Sequence, residues 1–139
     1  MPRPYSRGIQ DANFAPASLT LPAAASTTVT TTGFDFGTNT TFPESIEFRI
    51  VVPALSAVIV PDTKTVTVTV ETSTTSNFAA IDEVLFTQTL TGAGGVGVAA
   101  LDRRVKPPSN CAEFVRLKIA FGALTTDGSA LAATFYVYF

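Results

Sequence analysis

The sequence predicts an all-β chain, an antiparallel β-sandwich or jelly roll of about seven to eight strands preceded by an extended N-terminal arm. Three observations carry that prediction. Lys64–Glu71 alternates strictly, with Val66, Val68 and Val70 on one face and Thr65, Thr67 and Thr69 on the other, the period of a half-buried strand. The 22 threonines supply β-branched side chains whose stiff χ1 suits a pleated surface better than a helix. The β-type runs are separated by Gly, Pro, Asn and Asp stretches too short for the crossover helices that a parallel sheet needs.

Residues 1–25 contain Pro2, Pro4, Pro16 and Pro22 and no sustained periodicity. They read as an extended arm laid on a neighbour or on the body, and residues 26–139 as a single sandwich domain. Ser26–Thr32 is the first β-type run. Gly33-Phe34-Asp35-Phe36-Gly37 sets two rings on one side of an extended stretch, for core packing or, alternatively, for a partner surface. Ser45–Val52 places Ile46, Phe48, Ile50 and Val52 opposite Glu47 and Arg49. After the Val/Thr strand, Asn77–Asp82 fits a short helical turn. Glu83–Leu90 and Val96–Leu101 follow as strands, and then Val115, Leu117, Ile119 and Phe121 oppose Arg116 and Lys118. Asp127-Gly128 marks a turn before the last run. In Ala130–Phe139, Leu131, Phe135, Val137 and Phe139 are available for burial, while Tyr136 and Tyr138 face a second surface. Such an aromatic segment is expected to be tied into a sheet, because termini otherwise fray.

Composition narrows the function. A chain of 139 residues with a mean hydropathy of +0.34 supports one core. Charged residues make up 14% of the chain, against about 25% in an average soluble protein, which favours assembly over free diffusion. The net charge of −2 and the lack of a Lys/Arg stripe argue against nucleic acid as a partner. No apolar run approaches the about 18 residues of a membrane span, and the first residues lack the charged-then-apolar order of a secretory signal. Synthesis in a cytoplasm is the expectation. There is no His and no Trp, which removes the commonest general base, the commonest metal ligand and the best sugar-stacking ring. Cys111 is the single cysteine, so no intrachain disulfide forms and the residue reads as core filler. No enzyme activity, metal or cofactor is expected.

Four motifs need weighing. Gly92-Ala93-Gly94-Gly95-Val96-Gly97 fits the G-x-G-x-x-G pattern of dinucleotide sites. That mechanism needs a helix aimed at the pyrophosphate, and Val98–Arg104 offers only a short run before Pro107-Pro108, so the segment reads as an interstrand loop. Arg103-Arg104-Val105-Lys106 is the one local cluster of positive charge. It is either a solvated loop or, stiffened by the two prolines, a contact for a partner's carboxylates. The carboxylates are scattered, and Asp82-Glu83 reads as an element start. Asn39-Thr40-Thr41 is a glycosylation sequon explained by chance in a Thr-rich chain.

The order of features resembles the small cement, or decoration, proteins on the outside of tailed-bacteriophage capsids, in particular the jelly-roll type of Bordetella-like podoviruses. The resemblance covers roughly residues 20–139 and is carried by pattern. Its elements are Ala25-Ser26-Thr27, Phe34-Asp35-Phe36-Gly37, Thr65–Thr72 with Ser73 and Phe78, Gly92–Gly97, Pro107-Pro108, Glu113-Phe114-Val115-Arg116-Leu117-Lys118 and the terminal strand. It implies a non-enzymatic virion component, made in the bacterial host cytoplasm and placed on the capsid exterior. There it clamps neighbouring major capsid protein subunits, often as a dimer or trimer. The contact elements expected for such a role are the arm (Arg3, Tyr5, Arg7), the basic loop (Arg103, Arg104, Lys106) and the terminal aromatics (Tyr136, Tyr138). The alternative is a carbohydrate-binding jelly-roll module displayed on a virion or fibre, with Tyr and Phe as stacking rings.

Overall fold

The computed structural model describes residues 15–37 and 46–138. Their nine strands are β1 (Ala17–Thr20), β2 (Thr28–Thr30), β3 (Phe34–Asp35), β4 (Glu47–Val52), β5 (Thr65–Ser73), β6 (Glu83–Thr91), β7 (Leu101–Val105), β8 (Phe114–Phe121) and β9 (Ala132–Tyr138). A four-stranded sheet runs β1-β9-β4-β7, and a five-stranded sheet runs β2-β8-β5-β6 with β3 also paired to β8. All strand pairings are antiparallel, and the two sheets enclose one apolar core, so the fold is an all-β sandwich.

The core follows from the alternation in each strand. Val66, Val68 and Val70 of β5 face Phe121, Ile119 and Leu117 of β8 across the ladder, and these side chains are buried. From the other sheet, Phe48 and Ile50 of β4 lie opposite Val137 and Phe135 of β9, with no exposure at any of the four. The apolar faces meet because each strand would otherwise leave one side wet; full burial of such a side chain contributes about 1.5–3 kcal/mol. Phe34 and Phe36 join this core, with ring centroids 5.5 Å from Phe135 and 5.8 Å from Phe48 respectively. Cys111 is buried as expected of filler, and burial, with the Glu83 charge adding to it, pushes its thiol up to about 12.

Four sequence expectations change. Ala17–Thr20, read as part of the arm, is a strand on β9, and Leu19 and Leu21 belong to the core. Packed structure therefore begins before residue 26. Asn77–Asp82 forms no helix: Ser73 donates to the Ala80 carbonyl at 2.7 Å and the Thr74 N–H donates to Asp82 at 2.6 Å, which folds residues 74–82 into a tight β5–β6 connection. Val96–Leu101 is not a strand. Val98 makes only an isolated bridge to Leu55, and the strand starts where that run ends. The Arg103–Lys106 cluster is correspondingly not a loop, since Arg103 and Arg104 lie within β7 and Lys106 just beyond it. The Gly92–Gly97 segment is the interstrand loop the sequence suggested, pinned where the Gly95 N–H donates to Asp62 at 2.9 Å.

Candidate partner-binding face

The solvent side of the four-stranded sheet collects the polar half of each alternation. Glu47 and Arg49 come from β4, Asp102 and Arg104 from β7, and Tyr136 and Tyr138 from β9. Ladder register sets the rows: Arg49 lies opposite both Arg104 and Tyr136, and Glu47 lies opposite Tyr138. Two arginines directly opposed on a sheet repel each other. Each is relieved on the diagonal. Arg49 donates through Nε and Nη2 to the two Asp102 oxygens at 2.9 and 2.6 Å, a bidentate fork, while Arg104 pairs with Glu47 at 3.4 Å. The hydrogen bond from Arg49 holds the Asp102 carboxyl below its ordinary range, and the same bond keeps the Arg49 guanidinium protonated.

The rings complete the face. Tyr136 and Tyr138 share one side of β9 because they are two residues apart, and their centroids stand 5.9 Å apart with planes only 14° from parallel. The Arg49 guanidinium lies 5.7 Å from the Tyr136 ring and that of Arg104 5.7 Å from the Tyr138 ring. The result is a stacked pair of rings flanked by two cations and two carboxylates. The salt bridges are surface pairs, each worth at most about 1 kcal/mol to stability, so their main effect is to fix where the side chains stand.

The sequence-predicted contact residues divide four ways. Arg104, Tyr136 and Tyr138 come together here, although they were expected from two separate elements. Arg103 is turned the other way by the alternation of β7 and lines an open groove of about 520 Å³ between β6 and β7 with Gln88, Leu90 and Leu101. Lys106 is exposed after β7 and joins neither. Arg3, Tyr5 and Arg7 lie outside the described residues, as do the sequon and Phe139. Sequence reasoning passed over Glu47, Arg49 and Asp102 as members of the face. The alternation that made Glu47 and Arg49 the wet side of β4 was the available signal.

A second charged cluster lies on the outer side of the five-stranded sheet. Glu71 is 1% exposed and accepts from Arg116 Nε at 2.7 Å and Lys118 Nζ at 2.9 Å, while the Phe78 ring covers the Arg116 guanidinium at 4.1 Å. Burial opposes the Glu71 charge, but the hydrogen bonds from Lys118 and Arg116 outweigh it and the carboxyl lies below its usual range. Among the described residues no buried side-chain donor or acceptor lacks a partner, and the Glu71 carboxylate is held by both cations, which marks the cluster as structural. Among the described residues, no three His, Cys, Asp or Glu side chains gather as a metal site would.

A scan against protein-family models and a search of curated proteins both find no match to this chain.

Proposed function

We propose that this chain is a structural virion protein that binds the outer surface of a tailed-phage capsid and ties neighbouring major capsid protein subunits together. The Tyr136–Tyr138 pair with Arg49 and Arg104 is the observation that carries this reading. Tyr and Arg dominate the energetics of protein interfaces because each combines a large apolar or planar body with strong hydrogen-bonding capacity. Here they are held by cross-strand contacts before any partner arrives, so little side-chain entropy is lost on docking. The low charge content of the chain and its resemblance to capsid cement proteins point the same way. Copies repeated over a lattice add modest single contacts into strong retention, and binding the assembled shell in preference to free subunits stabilises the shell by mass action.

One observation favours a second reading, a carbohydrate-binding module. A pair of tyrosine rings beside the carboxylates of Glu47 and Asp102 offers aromatic surface for a sugar ring and acceptors for its hydroxyls. Co-sedimentation with expanded capsid shells lacking decoration separates the two. Saturable, stoichiometric binding that raises the shell's melting temperature is expected. Absence of binding, together with a glycan-array signal lost on Tyr136→Ala, would replace the first reading with the second.

A further inference from the structure

Each sheet of an open sandwich ends in edge strands, whose unpaired N–H and C=O groups invite another strand unless something protects them. Three edges here are protected. β1 spans four residues and β2 three, too short to template much pairing. β7 spans five, with Asp102, Arg103 and Arg104 in succession at its centre. β6 is different. It runs nine residues as the last strand of the five-stranded sheet, its one charge is Glu83 at the first position, and it contains no proline. Among the described residues no segment pairs with its free side.

We propose that β6 is the seam of a two-fold homodimer, pairing antiparallel with β6 of a second copy of this chain and joining their five-stranded sheets into one. The strand's own chemistry selects the occupant. Centred on Gln88, antiparallel pairing sets Thr87 opposite Thr89 and Phe86 opposite Leu90, with the two Gln88 amides facing each other. Thr87, Thr89 and Thr91 already continue the outer rows of Thr69, Thr67 and Thr65 on β5, where the Thr67 and Thr89 hydroxyls stand 3.4 Å apart. The seam extends those hydroxyl rows without a break. Phe86, Gln88 and Leu90 occupy the inward side, in register with Val70, Val68 and Val66, so the apolar layer also continues across. Glu83 lies outside the paired stretch, so no charges oppose each other within the strand pair. The same operation on β7 would set Arg103 against Arg103, which is why β6 and not β7 fits a second copy. The irregularity between Val70 and Glu71 in the β5–β6 ladder falls beyond Phe86 and leaves Phe86–Thr91 regular.

This inference is independent of what the Tyr–Arg face binds, since that face belongs to the other sheet. Sedimentation velocity of the full chain over a concentration series tests it. A dimer is expected in the wild type. The double variant Thr87→Lys/Thr89→Lys, at two exposed positions, sets lysine against lysine across the seam and weakens the dimer by at least about tenfold, with the circular dichroism spectrum unchanged. Gln88→Cys gives an independent readout should the lysine pair disturb folding: mild oxidation converts it to a disulfide-linked dimer, while Val96→Cys in the neighbouring loop does not cross-link. A monomer at the highest concentration that stays in solution overturns the proposal, whether its β6 amides exchange freely or are protected by another segment of the chain. An assembly that the lysine pair leaves intact, or failure of Gln88→Cys to cross-link, overturns it equally.

Discussion

Arg104 and Tyr138 lie on strands that do not pair, yet the guanidinium of one stands 5.7 Å from the ring of the other, reaching across β4 while it also meets Glu47 at 3.4 Å. Three strands therefore determine where one arginine points. The face is assembled by the sheet and not by any single segment.

If this face docks the shell, Tyr136→Ala/Tyr138→Ala weakens capsid binding by about 2 kcal/mol or more, roughly 30-fold, as expected for a central aromatic pair. The rings are partly exposed and outside the core, so the thermal transition stays close to that of the wild type. Quantitative co-sedimentation beside differential scanning calorimetry reads both quantities. Unchanged affinity in the double variant would remove the face from the binding surface.

Glu71 gives the fold a pH dependence with a defined sign. Its folded carboxyl titrates below its ordinary value of 4.5, so its contribution is fully present above that pH and is lost as the pH falls through the lower folded value. Glu71→Gln leaves Arg116 and Lys118 facing a neutral amide and costs about 2 kcal/mol at pH 7. The gap in melting temperature between wild type and variant closes as the pH is lowered below 4.5. A gap that stays constant with pH would show that the charge of Glu71 is not what the cluster uses.

The glycine loop separates two kinds of glycine. Gly94 has φ +64° and open space around a hypothetical Cβ, so Gly94→Ala costs only the left-handed backbone penalty, about 1 kcal/mol. At Gly97, φ is +85° and a Cβ would collide with the Leu55 carbonyl oxygen and the backbone that follows, so Gly97→Ala costs several times more. Urea denaturation midpoints of the two variants give the comparison. Equal losses would mean that the loop moves away from Leu55 more easily than the packing implies.

Cys111 should be inert while the chain is folded. Burial holds its thiol at about 12, so at pH 8 almost no thiolate exists and the sulfur is also shielded. A colorimetric thiol reagent is expected to react fully in denaturant and negligibly without it. Rapid reaction of the native chain would place Cys111 nearer the surface than its packing indicates.

Strands with a clean two-residue period could be read from the sequence, since Val66–Val70, Phe48–Val52 and Val115–Phe121 each declare a buried face without help from neighbours. The edges could not. Ala17–Thr20 offers a single buried leucine between Pro16 and Pro22, and an edge tolerates flanking prolines that a central strand would not. β7 has three consecutive charges, which hide its alternation, while the apolar run before it resembled a strand and is bent by Gly97 into a loop. Tyr136, Tyr138 and Arg104 could be singled out one at a time. Their convergence depends on the strand order β7-β4-β9, which no local pattern encodes.

The placement of β9 also constrains how the molecule is made. It is the last strand in chain order, yet it lies inside its sheet between β1 and β4, and β1 is the first strand. While β9 is still within a ribosome, β1 has no neighbour to hydrogen-bond and the inner face of β4 has no Phe135 or Val137 to cover it. Of that sheet only the β4–β7 pair can form earlier, and β1 stays unpaired until synthesis has passed Tyr138. Completion of the sheet is then a slow, non-local closure that brings the two ends of the described chain together.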